Sequence, residues 1–195
     1  MQVEPIEQLA TIRVIPNCCV IRPSDANETS YAWLTALENK TKPTILLLTR
    51  QTIPTFDRTE CAPASETRKG GYTLWENKKG STPEIILIGT GSETHLALEA
   101  GKKLASEGRT VRVVSLPSFD LFEAQPKAYR DSVLPPSVTK RVAVEAGVSF
   151  GWDRYIGAGG KFVGIDHFGA SAPGNVLAKE FGFTVDNVYN VAKSL

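Results

Sequence analysis

Histidine, methionine and cysteine are scarce in this sequence, which has two, one and three of them among 195 residues. The cysteines show no metal-ligand spacing: Cys18 and Cys19 are adjacent in an apolar run, and Cys61 stands alone in a predicted loop. Successive side chains of a strand point to opposite faces of a sheet, so the adjacent pair faces two ways. We interpret all three as buried or incidental thiols of a reducing compartment, with a redox role as the alternative.

Net charge and long apolar runs are missing as well. The net charge of +1 provides no field that would attract nucleic acid or a membrane surface. Apolar runs such as 44–48 and 85–88 have the length of strands, far below the roughly 20 residues that span a bilayer. The first residues lack the basic start and apolar stretch of a signal peptide. We therefore expect no nucleic-acid or membrane partner and a cytoplasmic location, with an address upstream of residue 1 left open.

The remaining composition is that of a globular protein. Hydrophobic residues make up 42% of the chain and charged residues 22%, which is enough apolar surface to bury a core. A length of 195 residues suits one domain, or one domain and a piece of another.

The first fifty residues alternate helical spacing with apolar runs of strand length. The pattern predicts a helix over 5–15, a strand over 18–21, a helix over 26–38 and a strand over 44–49. Ser24 or Asp25 should cap the second helix, because Glu28 stands where a capping box that starts at Asp25 would place it. The last strand is continuously apolar, which favours cover on both faces. Its carboxyl end leads to Arg50.

The rest of the chain divides into a linker and a second unit. Residues 53–69 are polar, contain two prolines and lack periodicity, which favours a linker. Beyond them strands alternate with helices, which predicts an α/β fold with a mainly parallel, doubly wound sheet. The predicted strands are 72–76, 84–90, 110–116, 140–145 and 161–166, and the predicted helices include 92–107, 175–181 and 184–194. The strand over 72–76, followed by a turn at Gly80, is predicted to be an antiparallel edge strand.

Three signatures in the second unit each join an apolar run to a turn rich in Gly and Ser. They are Ile-Leu-Ile-Gly-Thr-Gly-Ser-Glu (86–93), Val-Glu-Ala-Gly-Val-Ser-Phe-Gly-Trp (144–152) and Gly-Ile-Asp-His-Phe-Gly-Ala-Ser-Ala-Pro (164–173). Together with Ile-Arg-Pro-Ser-Asp-Ala-Asn-Glu (21–28) and Thr-Arg-Gln (49–51), this ordered set resembles the C-terminal part of transketolase. The resemblance extends over nearly the whole chain.

The resemblance implies a domain organisation and a chemistry. Residues 1–52 would be the C-terminal part of a thiamine-diphosphate pyrimidine-binding domain, 53–69 a linker, and 70–195 the transketolase C-terminal domain. A transketolase transfers two-carbon ketol units between sugar phosphates on thiamine diphosphate, whose diphosphate is held by Mg²⁺ or Ca²⁺. In the family the groups that bind cofactor and metal come from earlier parts of the enzyme. The chain alone is therefore expected to bind no cofactor or metal and to be inactive, with the remainder of transketolase and a homodimer partner as its partners.

Arg50 is the one site residue that the resemblance assigns. Within Thr-Arg-Gln it matches the family's arginine that binds the phosphate of the sugar substrate, and a guanidinium offers a planar, permanently charged fork to phosphate oxygens. The residues alone also allow an arginine that ends a strand and pairs with a nearby carboxylate. Val3 stands where the family has a histidine near the cofactor. A valine can neither donate a hydrogen bond nor carry a proton.

Polar residues near the first two signatures are interpreted as structural. Free amides at residues 89–93 could hold an anion, but Ser92 as the cap of the following helix is the preferred interpretation. His95, within that helix, is expected on the surface. Glu145 ends an apolar strand and should accept hydrogen bonds from the turn over 147–151.

The third signature and the tryptophans receive similar interpretations. Asp166 and His167 resemble half of a catalytic relay, but the sequence places no nucleophile beside them, so a structural loop contact is expected. The tryptophans are expected to be core or interface anchors; they are Trp33, Trp75 and Trp152.

Three functions remain open. The chain could be the C-terminal portion of a transketolase, to which it contributes Arg50 and subunit contacts. It could instead be a stand-alone, non-catalytic interaction or regulatory domain. A split enzyme is disfavoured, because a natural split would fall between domains and this sequence opens inside one. In every version, residues 1–50 provide too little structure to bury a core alone. We therefore expect residues 1–60 to be mobile or to pack on the second domain, and residues 70–195 to fold firmly.

Overall fold

Two sheets organise the computed structural model, which describes residues 6–195. Strands β1 (Cys19–Ile21) and β2 (Thr44–Leu46) form a parallel pair. A second sheet contains five strands: β3 (Tyr72–Glu76), β4 (Ile85–Gly89), β5 (Val111–Ser115), β6 (Arg141–Val144) and β7 (Lys161–Val163). Val3 and the first residue of the predicted opening helix lie outside the described residues.

The five-stranded sheet has the order β3-β5-β4-β6-β7. The four strands from β4 to β7 are parallel to one another, and β3 is antiparallel to β5 at one edge. The predicted doubly wound α/β fold with one antiparallel edge strand is confirmed. The edge strand pairs with β5 and not with β4, the next strand in the chain, because β5 and β6 already occupy both edges of β4.

Helices cover both faces of this sheet. One face carries α3 (Thr94–Ser106) and α8 (Val185–Lys193), and the other carries α4 (Phe119–Glu123), α5 (Lys127–Val133) and α6 (Asp153–Ile156). Strand β4 shows why both faces need cover. Its residues alternate between the two apolar cores, and all four of its isoleucine and leucine side chains are 0% exposed. The remaining helix of this unit is α7 (Gly174–Glu180). None of the helices within residues 6–195 is long and apolar enough to cross a membrane.

The first segment folds into α1 (Gln8–Arg13), β1, α2 (Ala26–Glu38) and β2. Asp25 caps α2, accepting the Glu28 amide at 2.7 Å, while the Glu28 carboxylate returns to the amide of Ser24 at 2.8 Å. The predicted cap is thus confirmed. Strand β2 is shorter than predicted, and Leu48 just beyond it is 55% exposed. The side chains of β2 are half-buried and not fully covered as expected; within the described residues, α2 packs against this strand.

The predicted linker is packed rather than loose. It contains a 3₁₀ helix, Ala64–Lys69, and its Phe56 and Cys61 are buried in the core beside α3. Cys18, Cys19 and Cys61 are all free and buried, as predicted, and burial raises the pKa of the Cys19 and Cys61 thiols. The domain boundaries themselves remain predictions.

Candidate functional site

Arg50 lies just beyond the carboxyl edge of the two-stranded sheet. Strand β2 ends at Leu46, and the Leu47 amide still donates to the Ile21 carbonyl at 2.9 Å, so pairing continues for one residue. Arg50 is exposed and has no hydrogen bond or ion pair within residues 6–195. Its guanidinium is therefore available for an anion from outside the described part of the chain.

A groove lies beside this edge, between the first segment and the five-stranded domain. It has a volume of about 350 Å³. Its walls are mostly apolar, with residues of α1 on one side and of α7 on the other. Gln51, Arg22 and Glu93 supply polar groups to it.

Four charged residues form a buried group at the end of this groove, here called the arginine–glutamate cluster: Arg13, Arg22, Glu93 and Glu145. Arg22 follows β1 directly, and its guanidinium contacts Glu93 at 2.6 Å and Glu145 at 3.4 Å. The same guanidinium donates to the Thr90 carbonyl at 3.0 Å. Glu93 also accepts the Ala146 amide at 3.0 Å, which ties the ends of β4 and β6 together.

Glu145 is the centre of the arginine–glutamate cluster. Arg13 binds its carboxylate with both terminal nitrogens, at 2.7 and 2.8 Å, and the Trp152 indole donates to it at 2.7 Å. Burial works to raise the pKa of Glu145, but Arg13, Arg22 and the indole together leave that pKa below its usual value. The prediction that the 147–151 turn supplies these bonds is wrong for the side chain. Only the Glu145 backbone carbonyl accepts from that turn, from the Gly147 amide at 2.8 Å.

A second buried glutamate lies between α2 and the five-stranded sheet. Glu28 accepts the Tyr72 hydroxyl at 2.7 Å, the Ser115 hydroxyl at 2.8 Å and the Ser24 amide. These four residues are called the hydroxyl cluster. Burial raises the pKa of Glu28, and the three hydrogen bonds oppose it only in part. Burial and the Glu28 carboxylate likewise raise the pKa of Tyr72.

The predicted linker touches this region through Asp25, the cap of α2. Asp25 accepts the Phe56 amide at 3.0 Å and pairs with Arg58 at 2.8 Å. Phe56 stacks on His95, with ring centroids 4.0 Å apart, and burial lowers the pKa of that histidine. The expectation that His95 lies on the surface is wrong, because the linker folds over it.

Two further predictions concern Ser92 and Asp166. Ser92 does not cap α3: a 3₁₀ turn, Gly91–Glu93, precedes the helix, and the Ser92 hydroxyl binds the Glu93 carboxylate at 2.6 Å. Asp166 accepts the Ser149 amide at 2.8 Å, which is the expected loop contact. His167 contacts the neighbouring Phe168 carbonyl at 2.8 Å.

The tryptophans differ from one another. Trp152 is fully buried in the core, as predicted, and Trp75 packs partly against the other core. Trp33 is 54% exposed on α2, so within the described residues it is not a core residue.

The described residues do not fit a site for a metal-bound diphosphate. Within residues 6–195 no three His, Cys, Asp or Glu side chains are grouped as metal ligands. The buried carboxylates already have partners, in the arginine–glutamate cluster, the hydroxyl cluster and at Asp25. The described residues therefore provide no group that would hold such a cofactor.

Sequence reasoning named Arg50, whose role stays a prediction, and missed both buried clusters. Their members are far apart in the chain: Arg13 and Glu145 are separated by 132 positions. One signal was present, since Glu145 directly follows the apolar run 142–144, and a buried carboxylate needs partners.

The fold and this edge define a class of protein: a doubly wound α/β domain packed against the end of a second parallel unit. The family model described as transketolase-like TK C-terminal domain matches residues 70–184, and that of the transketolase pyrimidine binding domain matches 2–55. The chain belongs to the transketolase family.

Individual relatives agree. The chain is 55% identical over 192 residues to transketolase of Geobacillus stearothermophilus, covering 98% of this chain and 29% of that protein. The structure of transketolase from Leishmania mexicana matches with a TM-score of 0.87 at 42% identity, over 98% of this chain and 28% of the other. Transketolase of Pichia stipitis in complex with sedoheptulose-7-phosphate has a TM-score of 0.88 at 40% identity, over 98% and 27%. The chain thus spans less than a third of the length of the curated relatives it matches.

Proposed function

We propose that this chain is the C-terminal portion of a transketolase, in which it takes part in transferring two-carbon ketol units between sugar phosphates. The observation that carries the proposal is Arg50, an exposed arginine without a partner in the described residues. It stands at the carboxyl edge of parallel strands, where α/β sheets place ligand-binding residues. The structural relative in complex with sedoheptulose-7-phosphate supports a phosphorylated sugar as the substrate.

Contrast with other arginines supports the assignment of Arg50 to phosphate. Arg13, Arg22 and Arg58 are each bonded to a buried carboxylate, so their charge is already neutralised. The alternative for Arg50, a strand-ending arginine paired with a nearby carboxylate, finds no such pair within residues 6–195. A guanidinium can bind two phosphate oxygens at once, which favours arginine as the phosphate-binding residue.

The cofactor belongs to other parts of the enzyme in this proposal. Thiamine diphosphate and its divalent metal are bound by the remainder of transketolase and a homodimer partner, and the isolated chain is inactive. A cytoplasmic location stays a prediction.

The test joins this chain to the preceding part of Geobacillus stearothermophilus transketolase, in place of the matching 29% of that protein. We expect Arg50→Ala to raise KM for phosphorylated sugars by about 10- to 100-fold, the effect of losing hydrogen bonds between charged groups. KM for unphosphorylated acceptors should change less than about twofold.

The matched control is Arg109→Ala. Arg109 is a partly exposed arginine before β5, at the amino edge of the five-stranded sheet, where it pairs with Glu84. The Arg109→Ala variant should leave KM unchanged for phosphorylated and unphosphorylated sugars alike. Equal losses for phosphorylated and unphosphorylated sugars in Arg50→Ala would remove Arg50 from the phosphate site.

A stand-alone interaction domain is the alternative, and exposed apolar side chains on α2 favour it. Trp33 and Leu37 are 54% and 66% exposed. In the first proposal the remainder of transketolase covers them. Blotting source cells with an antibody to residues 70–195 separates the two: a band several-fold above 21.2 kDa supports the transketolase, and a band at 21.2 kDa alone supports the interaction domain.

A further inference from the structure

The ligand crevice of the C-terminal domain is filled by a side chain of the preceding segment. The chain order changes direction at β4, which has β5 on one side and β6 on the other. Open α/β sheets bind their ligands outside the carboxyl ends of the strands at such a point. Here the Arg22 guanidinium lies there, against Glu93 from the end of β4 and Glu145 from the end of β6.

The backbone around the crevice is shaped for this guanidinium. Gly91 has φ +58°, and a Cβ added there would lie 2.7 Å from Arg22 Cζ. A larger residue would therefore displace the arginine. The domain's crevice thus holds a part of its own chain, bound through two carboxylates and the Thr90 carbonyl.

The backbone of Arg22 is bonded to the same domain. Its amide donates to the Pro117 carbonyl at 2.8 Å, and its carbonyl accepts the Gly91 amide at 3.1 Å. Side chain and backbone together fix the carboxyl end of β1, because Arg22 follows Ile21 directly.

The carboxyl end of β1, which Arg22 holds, is paired with β2, and the chain leads from β2 to Arg50. Ile21 pairs with Leu46, and the Ile21 carbonyl accepts the Leu47 amide at 2.9 Å. The segment before Arg50 then faces Arg22 and the 3₁₀ turn at Gly91 across a cleft of about 100 Å³. Since Arg50 has no side-chain partner within residues 6–195, its place depends on this backbone.

We propose that Arg22 is a positioning residue for Arg50, and that Glu93 and Glu145 of the C-terminal domain hold Arg22 for this purpose. The inference rests on the proposed function, in which Arg50 binds the phosphate of the sugar. The C-terminal domain then has a role in substrate binding, because its crevice fixes the edge that presents the phosphate-binding arginine.

The first test is hydrogen exchange on the 195-residue chain. Glu93→Gln keeps the shape of the side chain and removes the charge that faces Arg22. We expect the Leu47 amide to exchange about tenfold faster, the effect of weakening one charge-assisted hydrogen bond. Glu76→Gln is the matched control, because Glu76 forms a similarly buried pair with Arg112 on β3 and β5. The control should leave Leu47 within about twofold of the unchanged chain.

A second variant keeps the test decisive if Glu93→Gln does not fold. Arg22→Lys retains the positive charge, but an ammonium lacks the planar fork that reaches Glu93, Glu145 and the Thr90 carbonyl together. It should also speed exchange at Leu47. Exchange at Leu47 that is unchanged in both variants would overturn the inference.

The second test is a double-mutant cycle in the joined transketolase described above. Glu93→Gln should raise KM for phosphorylated sugars about fivefold with kcat within about twofold, and leave unphosphorylated acceptors unaffected. If the cluster acts through Arg50, adding Glu93→Gln to Arg50→Ala should raise KM no further. Effects that multiply in the double variant, or that reach both substrate classes, would contradict the positioning role.

The two proposals can fail separately. If Arg50→Ala affects both substrate classes equally, the proposed function of Arg50 fails. If Arg50→Ala raises KM for phosphorylated sugars alone but Glu93→Gln does not, the phosphate site stands and only the positioning role of Arg22 fails.

Discussion

Glu28 and Glu145 are two glutamates with the same burial and opposite electrostatics. They are 0% and 1% exposed, and both join the first segment to the five-stranded domain. Glu145 faces two guanidiniums and an indole, whereas Glu28 faces two hydroxyls and an amide. The pKa of Glu145 is lowered and that of Glu28 is raised. What a buried carboxylate contacts, more than its depth, decides which protonation state the fold favours.

The largest expected effect on stability comes from removing the carboxylate of Glu145, which is paired with cations. Glu145→Ala leaves Arg13 and the Trp152 indole without their acceptor in a buried site. We expect a loss of about 3–5 kcal/mol in the free energy of unfolding, as for other buried ion pairs that lose one partner. Urea unfolding at pH 7 measures it, provided that the m-value stays constant.

Glu28→Ala is the comparison variant. It removes an acceptor from neutral hydroxyls and leaves no uncompensated cation, so its loss should be smaller, about 1–3 kcal/mol. Losses of equal size in the two variants would show that the depth of burial, and not the contacts, determines how much stability each glutamate contributes.

The next effect is a pH dependence of opposite sign. The folded pKa of Glu145 lies below the ordinary 4.5, so its stabilisation is present above that pH and is lost as pH falls through the folded value. The folded pKa of Glu28 lies above 4.5, so its stabilisation is complete below that pH and is lost as pH rises through the folded value.

Glutamine variants expose these slopes. The stability advantage of the unchanged chain over Glu145→Gln should grow from acid to neutral pH, and its advantage over Glu28→Gln should shrink. Urea midpoints between about pH 3 and 8 would record both. If both stability differences changed with pH in the same direction, the opposite pKa shifts of the two glutamates would be contradicted.

Much of the fold follows from local patterns, but the clusters do not. Apolar runs of strand length predict the strands, and the Asp25 cap is visible because a cap and its partner are three residues apart. The pairing of β3 with β5 is a competition for free sheet edges, which no local pattern contains. The surface prediction for His95 is wrong for a similar reason, since Phe56 covers it from a segment that has no periodicity.

The candidate site shows the same division. Arg50 could be predicted as a phosphate-binding residue because the Thr-Arg-Gln motif that carries the family resemblance, and its place after a strand, are local features. The partners of Arg22 lie on the ends of two other strands, 68 to 123 positions away. Such contacts depend on the sheet order, and the sequence shows only that each charged residue follows a buried strand.

The smallest expected effect belongs to an ion pair at the surface. Arg68 and Glu38 form a salt bridge between the linker and α2, with side chains 44% and 52% exposed. Water already solvates both charges, so Glu38→Gln should change the free energy of unfolding by less than about 0.5 kcal/mol, and less still at high salt. Urea unfolding at low and high salt tests this. A loss as large as that of Glu145→Ala would mean that charge pairing between the segments, and not its burial, holds them together.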